Sequence, residues 1–278
     1  LQRRDVCPLE FIFAFVDLTK DKSNKTVPVD AKTKDLSHEV QGRAVDVSPK
    51  GDMIAVGMRD GTLRIYVGSQ NNYQIGTQGK LFKQWIEDLK FSPDGTKLAV
   101  TSHDGRILVY EVNAGKAKKF AAFKASTAAI TQIDWSEDST KLRTNDTSYE
   151  ILYYDINSGQ DTSGASNLKD EQWATVTGPF GWATTGVWRP GQAGNDINKV
   201  SRSKGPVVDG MQLVASADDF GQVNLFRYPA MVEYAEPLTL RGHSSHVTKV
   251  AWNHDDSLVF STGGNDTSVM KWRIHKKN

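Results

Sequence analysis

The chain has 278 residues, enough to bury a core without disulfides, and its single cysteine, Cys7, excludes an intramolecular disulfide and favours a reducing, intracellular compartment. Its 34 basic and 33 acidic residues give a formal net charge of +1, which provides no general attraction to nucleic acid or an anionic membrane. The longest apolar run near the N-terminus, residues 11–16, is too short to span a bilayer, and no secretory signal is recognisable.

Residues 1–35 carry the weakest signal. Residues 9–18 are predicted to form one strand, and residues 19–35 are rich in Lys, Asp, Thr and Ser, a composition typical of a solvated loop. A basic docking segment is the alternative interpretation of this loop. Because the chain begins with Leu rather than Met, we expect it to be a piece of a longer protein.

From residue 38 onwards, the sequence repeats a pattern of short strands separated by turns. In the first unit, residues 43–47, 53–56 and 63–67 are apolar or alternate apolar with polar residues, and Pro, Gly and Asp lie between them. An aromatic residue closes the third strand of each unit: Tyr66, Tyr110, Tyr154, Phe226 and Trp272. The spacings are 44, 44, 72 and 46 residues, close to the period of about 40–45 residues in propeller blades.

The repeat predicts an all-β WD-repeat β-propeller with five readable blades after an unassigned N-terminal strand and loop at residues 1–35. The blades are expected at about residues 36–67, 80–112, 120–156, 173–229 and 237–275. WD propellers usually close with about seven blades, and an open ring leaves unpaired strand edges. We therefore expect further blades upstream, or a small ring that closes with help from residues 9–18.

The spacing of 72 residues predicts an insertion before the fourth unit's last strands. Residues 157–172 are polar, and residues 189–210 combine Gly, Pro, Asn and Ser with little periodicity. Replacing residues 190–209 with a short linker is therefore expected to leave the fold intact.

The last unit is the most complete. Gly242 and His243 precede a strand at residues 247–252, a second strand covers 258–262, and a third covers 269–274. This order resembles a WD repeat, in which His, Ser or Thr, Asp and the Trp indole N–H satisfy one another in a buried chain. The matching residues here are His243, Thr262, Asp266 and Trp272. Residues 124–127 lack the Gly-His pair, so the third blade is predicted to lack its buried histidine.

A narrower resemblance covers residues 130–275 closely and 36–275 loosely. The motifs that carry it, in order, are Trp-Ala-Thr at 173–175, Gly-Val-Trp at 186–188, Asp-Asp-Phe-Gly at 218–221, Gly-His-Ser-Ser-His-Val-Thr at 242–248 and Ser-Thr-Gly-Gly at 261–264. This set resembles the C-terminal propeller of the echinoderm microtubule-associated protein-like family. The resemblance implies a role without catalysis, tubulin or microtubules as partners, and a cytoplasmic location on the cytoskeleton or at the axoneme.

Two functions follow as expectations. The first is a non-enzymatic cytoskeletal interaction module, microtubule- or tubulin-associated through a larger parent protein. The alternative is a general WD-repeat scaffold for protein–protein interaction in a ciliary or other multiprotein assembly. Neither function uses a catalytic residue, a metal or a cofactor, and neither nucleic acid nor a membrane is an expected partner.

Metal binding, triad catalysis and phosphate binding have weaker support in the sequence. His243 and His246 form an H-x-x-H pattern near His254, which would suit zinc, but His243 already matches the WD position and no cysteine assists. Ser, His and Asp recur in repeat positions where each has a folding role, which disfavours a catalytic triad. The glycine-bearing loops at residues 76–80 and 191–194 lack the Gly-Lys-Ser/Thr ending of a phosphate-binding loop.

The insertion supplies the candidate partner-binding residues, because loops on a rigid scaffold often hold binding groups. The insertion is flanked by Trp173, Trp182 and Trp188. These tryptophans are expected either to pack in the core or to form an exposed partner-binding patch. The candidate contact residues are Trp182, Trp188, Arg189, Asp196, Lys199, Arg202 and Lys204.

Overall fold

A computed structural model describes residues 14–15, 27–28, 41–69, 72–124, 126–161, 168, 170–192, 194–233 and 235–274. The strands are β1 (Ala14–Phe15), β2 (Val27–Pro28), β3 (Gly42–Val47), β4 (Met53–Met58), β5 (Thr62–Ser69), β6 (Asn72–Lys80), β7 (Ile86–Phe91), β8 (Lys97–Ser102), β9 (Arg106–Asn113), β10 (Lys116–Lys124), β11 (Ile130–Trp135), β12 (Lys141–Asp146), β13 (Ile151–Asp155), β14 (Gln160–Asp161), β15 (Ile197–Arg202), β16 (Leu213–Asp218), β17 (Gln222–Arg227), β18 (Leu238–Arg241), β19 (Val247–Trp252), β20 (Leu258–Gly263) and β21 (Val269–Arg273). A short 3-10 helix covers Trp182–Val187.

The strands form antiparallel sheets in which each strand pairs with its neighbour in sequence. Four sheets have four strands, β3–β6, β7–β10, β11–β14 and β15–β18, and β19–β21 form a three-stranded sheet in the described residues. The chain divides between Ala129 and Ile130 into two compact units. The first unit contains the sheets β3–β6 and β7–β10 and the short pair β1–β2, and the second contains the other three sheets. The predicted all-β fold with five propeller blades is confirmed.

The first strand of every blade is bulged at its second residue. The register between the first and second strands shifts at this position in all five sheets. The residues at the bulge are Arg43, Glu87, Thr131, Asn198 and Thr248. Because a bulge re-aims the side chain of the extra residue, each blade directs one variable side chain away from the regular pleat at the same edge of its sheet.

The turn between the first and second strands is also repeated. The backbone N–H that opens the second strand donates to a Ser or Asn side chain at the end of the first strand, at 2.9–3.0 Å. The acceptors are Ser48, Ser92, Ser136, Ser203 and Asn253. The turn therefore places a Ser or Asn at the end of the first strand in all five blades.

Two of the second strands are buried throughout. Every residue of β4 and of β16 is buried, which explains why these strands appear as apolar runs rather than as an alternating pattern. The closing aromatic residues Tyr66, Tyr154 and Phe226 are buried, whereas Tyr110 and Trp272 are partly buried.

Two details of the predicted strands are wrong. The segment 189–210 is not a continuous irregular insertion, because it contains β15, the first strand of the fourth blade. Only Ile197 and Val200 among its six residues are buried, so its apolar signal is weak. The expectation that residues 190–209 could be replaced without harm is therefore wrong. In addition, the last blade was predicted to start at residue 237, but residues 238–241 form β18 of the preceding sheet.

The fourth strands were not anticipated in the predicted blade ranges. β6, β10, β14 and β18 follow the third strands and extend past residues 67, 112, 156 and 229. Of the predicted strand at residues 9–18, the structure describes Ala14 and Phe15, which pair with β2. The rest of that predicted strand lies outside the described residues.

Candidate interaction surface

Residues 174–177, which precede the fourth blade in the chain, lie between β11 and β15. On one side, the Ala174 N–H donates to the Trp135 carbonyl at 2.9 Å. On the other side, the Arg202 N–H donates to the Val176 carbonyl at 3.2 Å. Residues 174–177 therefore form an extra segment that joins two blades of the second unit.

One buried carboxylate, Asp134, fixes this segment. The Thr177 backbone N–H and hydroxyl donate to it at 3.0 and 2.9 Å, and the Thr175 hydroxyl donates at 2.5 Å. Arg143 donates from Nε and Nη2 at 3.2 and 3.1 Å, so the carboxylate also has a cationic partner. Asp134 is only 1% exposed, and these contacts satisfy a charge that would otherwise be costly to bury.

After this anchored segment, the chain presents a row of aromatic rings. The Phe180 N–H donates to Asn145 Oδ1 at 3.1 Å, which fixes the backbone beneath its ring. The Phe180 ring stacks on the Trp188 ring, with centroids 5.4 Å apart and an angle of 9° between the planes. The Tyr149 and Phe180 rings meet in a T-shaped arrangement, with centroids 5.5 Å apart. The Trp188 indole N–H donates to the Pro179 carbonyl at 3.0 Å. The row is held by hydrogen bonds as well as by ring contacts.

The 3-10 helix continues this row towards a second segment of the fourth blade. Trp182, at its first position, is 55% exposed. The Gly186 N–H donates to the Ala230 carbonyl at 2.7 Å, and a Cβ at Gly186 would overlap the Val232 carbonyl oxygen. The close approach of these two backbones requires glycine at this position. It brings the exposed side chains of Met231 and Val232 beside the helix.

We call the exposed and half-buried apolar side chains of these segments the aromatic surface. Its members are Tyr149, Phe180, Trp182, Trp188, Met231 and Val232. Large apolar side chains grouped at the surface are typical of sites that contact another protein. A small hollow of about 140 Å³ adjoins it, with Arg189 and Glu233 among the lining residues.

The structure brings together only part of the predicted contact set. Trp182, Trp188 and Arg189 belong to or adjoin the aromatic surface, and Asp196 is exposed at the start of β15. Lys199 lies along β15, and Lys204 follows its other end, so the set spans a strand about 20 Å long.

Two predicted tryptophans and one arginine have structural roles. Arg202 donates to the carbonyl groups of Trp173 and Ala174 at 2.7 and 3.2 Å, and its guanidinium lies 5.3 Å from the Tyr228 ring centroid. Trp173 is buried and lies under the Arg143 guanidinium. Trp188 combines a half-buried ring with a satisfied N–H, so it supports the surface from below.

Sequence reasoning missed Tyr149, Phe180, Met231 and Val232. Tyr149 stands in the turn between β12 and β13, and Met231 and Val232 lie outside any strand. Bulky apolar residues in turns were the available signal, since turns are normally polar.

The predicted WD chain is present in the last blade with one substitution. His243 Nδ1 lies 2.9 Å from Asp266 Oδ2, and His243 Nε2 lies 2.8 Å from Ser261 Oγ. The Trp272 indole N–H donates to the same Ser261 hydroxyl at 2.8 Å. Because a carboxylate only accepts, Nδ1 carries the histidine proton, and the Ser261 O–H donates to Nε2.

The assignment of Thr262 to this chain is wrong. Ser261 occupies the position, while the Thr262 hydroxyl lies 2.8 Å from that of Thr248. Neighbouring residues of a strand point to opposite faces, so a shift of one residue exchanges the two roles. Asp266 keeps a pKa below its usual value: burial alone would raise it, but hydrogen bonds from His243 and from backbone N–H groups outweigh that effect.

His243 and His246 of the last blade form hydrogen bonds to side chains of the same blade, which differs from the arrangement of a metal site. The ring nitrogens of His243 face Asp266 and Ser261, and His246 Nδ1 lies 3.0 Å from the Ser245 hydroxyl. Across the part of the chain that the structure describes, no three His, Cys, Asp or Glu side chains are grouped so as to hold a metal ion. No described helix combines the length and apolar character needed to cross a membrane.

Comparison with known proteins identifies a matching family. Residues 20–274 match the family described as "Echinoderm microtubule-associated protein second beta-propeller". Over 110 residues the chain is 49% identical to echinoderm microtubule-associated protein-like 2 of Rattus norvegicus, covering 40% of this chain and 16% of that protein. Over 110 residues it is 44% identical to the 77 kDa echinoderm microtubule-associated protein of Strongylocentrotus purpuratus, covering 40% and 15%. The aligned part is thus a small fraction of these relatives' length.

Among solved structures, a chain from the crystal structure of a mitotic checkpoint complex is similar in fold. The TM-score is 0.63 at 13% sequence identity, over 92% of this chain and 82% of that chain. At this identity, the similarity supports the propeller fold alone.

Proposed function

The chain belongs to the echinoderm microtubule-associated protein family, and from this membership we propose that it is a non-enzymatic interaction module of the cytoskeleton. Its partner is tubulin or the microtubule, reached as part of a larger protein. The aromatic surface is the single observation that supports a contact site. It combines exposed apolar groups with a backbone held rigid by Asp134, Asn145 and Ala230.

A rigid aromatic surface suits protein binding. Trp and Tyr dominate the energetics of protein interfaces because they bury a large area at a small cost in side-chain entropy. Trp182 and Tyr149 are 55% and 64% exposed, so their burial in a complex would remove substantial apolar area from water. Ser261, His243 and Asp266 are the residue types of a catalytic triad, but here they are held in a buried structural chain.

Attachment of this chain alone is expected to be weak. The net charge is +1, and exposed ion pairs are worth about 0–1 kcal/mol each and are screened beyond about 8 Å at physiological salt. Exposed basic residues such as Lys118 and Lys119 on β10 offer only local attraction. Linked copies would bind far better because they raise the effective concentration.

The test is co-sedimentation with polymerised tubulin. The 278-residue chain should pellet weakly and less at higher salt, and a fusion to a trimerising coiled coil should pellet strongly. The double substitution Trp182→Ser with Val232→Ser should reduce pelleting of the fusion by at least about fivefold. Phe120→Ser, which removes an exposed aromatic residue from β10, is the matched control and should have little effect.

The outcomes separate the function from the site. Absence of pelleting by the trimeric fusion would contradict the microtubule partner and favour the general scaffold function. Undiminished pelleting by the Trp182→Ser, Val232→Ser variant would contradict the aromatic surface as the contact site.

A further inference from the structure

A cluster of charged and aromatic side chains lies in the first unit, at one edge of the sheets β3–β6 and β7–β10. Its centre is Trp85, which immediately precedes β7. Arg43 lies near the start of β3, while Arg59 and His103 lie in the turns after β4 and β8. The beginning of a first strand and the end of a second strand meet at the same edge of an antiparallel sheet, so the topology brings these four residues together.

The bulges of the two first strands direct the charged members. Arg43 and Glu87 are the bulge residues of β3 and β7. Arg43 Nη2 donates to Glu87 Oε2 at 2.8 Å, and the Arg43 guanidinium lies 4.6 Å from the Trp85 ring centroid. A regular pleat would alternate these side chains with their neighbours, whereas the bulges allow Arg43 to reach both Glu87 and the indole.

Two further groups complete the cluster around Trp85. The Arg59 guanidinium lies 5.5 Å from the ring centroid, and Nη1 donates to Gln41 Oε1 at 3.0 Å. The His103 ring meets the indole with centroids 4.4 Å apart, and its Nδ1 lies 2.9 Å from Glu87 Oε1. Two guanidinium groups and an imidazole therefore surround one aromatic ring, and Arg43 and His103 also share the Glu87 carboxylate.

The cluster has cationic character that remains accessible. The Arg43 side chain is 38% exposed and Arg59 is also exposed, whereas the Glu87 side chain is 13% exposed. A guanidinium carries five N–H donors, and the contact of Arg59 with Gln41 occupies one of them. Stacking on the indole orients the planar guanidinium groups and reduces the entropy lost when they bind a ligand.

We propose that the cluster of Arg43, Arg59, Trp85 and His103 binds carboxylate side chains of an acidic, extended peptide segment. Oriented arginines bind carboxylates bidentately, which gives geometric selectivity as well as attraction. The site is small and its cations flank Glu87, with Asp60 and Asp104 in the adjacent turns. This mixture suits one or two carboxylates better than the continuous negative charge of a nucleic acid backbone.

The test is fluorescence anisotropy with a labelled peptide of alternating glutamate and glycine, with a glutamine–glycine peptide as the neutral control. The 278-residue chain should bind the glutamate peptide and not the neutral one. Arg43→Gln with Arg59→Gln should weaken binding at least about tenfold. Lys118→Gln with Lys119→Gln removes the same charge from β10 and should change binding less than about twofold.

Arg59→Gln alone keeps the Arg43–Glu87 pair, so it tests the site if the double variant fails to fold. It should weaken peptide binding by about threefold or more. Equal loss in the Lys118, Lys119 variant would overturn the proposal in favour of non-specific attraction. So would absence of peptide binding by the wild-type chain, or tighter binding of a single-stranded RNA. These results are independent of the proposed function, because neither the peptide assay nor its variants involve the aromatic surface.

Discussion

The fifth and third blades hold their strands with different polar groups. In the fifth, the chain Asp266–His243–Ser261–Trp272 links the turn after β20 to the third strand. In the third, no histidine stands before β11, and Asp134 instead accepts hydrogen bonds from Arg143 and from the insertion.

The difference shows that the repeat requires a satisfied polar connection rather than a particular set of residues. The fourth blade is a further variant: Asp218 accepts from Asn224 and from the backbone N–H of Gln222, and Asn224 accepts from Thr239. In each of these three blades the carboxylate has several donors, as burial of a charge demands. In the third blade some of those donors belong to the insertion, so the insertion is part of the fold there.

The largest effect is expected from Asp134. Asp134→Asn should destabilise the second unit by about 3–5 kcal/mol, because it removes the partner of a largely buried Arg143 and weakens the anchor of the insertion. Urea unfolding measures the change. Asp196→Asn makes the same chemical change at an exposed side chain and should be near neutral. Equal stability of the two variants would show that Asp134 is not the anchor.

Trp272 is the corresponding test in the fifth blade. Trp272→Ala should cost about 2–4 kcal/mol, somewhat less than a fully buried tryptophan, because the ring is only partly buried. Trp272→Phe retains most of the packing and loses the donor to Ser261, so it should cost about 1–2 kcal/mol. Thermal melts of both variants separate packing from hydrogen bonding, and two neutral substitutions would refute the role of Trp272.

Substitutions at Ser261 and Thr262 test directly which of the two hydroxyl groups belongs to the buried chain. Ser261→Ala should cost about 1–3 kcal/mol, since it leaves buried groups of His243 and Trp272 without their partner. Thr262→Ala should cost less than about 1 kcal/mol. His243→Ala should cost about 1–3 kcal/mol, and its effect should not add fully to that of Ser261→Ala in a double-mutant cycle. The reverse order of the two strand variants would restore Thr262 to the buried chain.

Asp46 extends the comparison to the first unit, where it occupies in β3 the position that Asp134 occupies in β11. Burial raises the pKa of Asp46 from 3.8 to about 6, although Lys90 and the Phe91 N–H oppose the shift. The folded chain thus holds this proton more tightly than the unfolded chain. Its stabilising effect is complete below about pH 4 and is lost as the pH rises through about 6.

Asp46→Asn should therefore stabilise the chain at neutral pH relative to the wild type, by about 1–3 kcal/mol. The asparagine oxygen can still accept from the Phe91 N–H, which donates to Asp46 at 2.8 Å. Urea unfolding of both proteins near pH 4 and pH 7 gives the difference. A variant whose advantage is the same at both pH values would contradict the raised pKa.

Much of the fold was determined by local sequence. Ser-Pro and Asp-Gly turns, apolar second strands and one closing aromatic residue per unit recur within about 45 residues, because each blade forms its own turns and central strands from neighbouring segments. His243, Asp266 and Trp272 could be assigned for the same reason: all three belong to one blade. The period also located the insertion to within a few tens of residues.

The tertiary structure alone decided which side of a strand faces the core and which distant segments meet. Ser261 and Thr262 are neighbouring residues that both carry a hydroxyl group, and only the pairing of β19, β20 and β21 selects Ser261. The polar sequence of β15 becomes a strand because β16 and the insertion supply its hydrogen-bond partners. Tyr149 contacts Phe180, and Arg43 contacts Trp85, from segments that are tens of residues apart. No local preference encodes these contacts, since they exist only after the blades have packed.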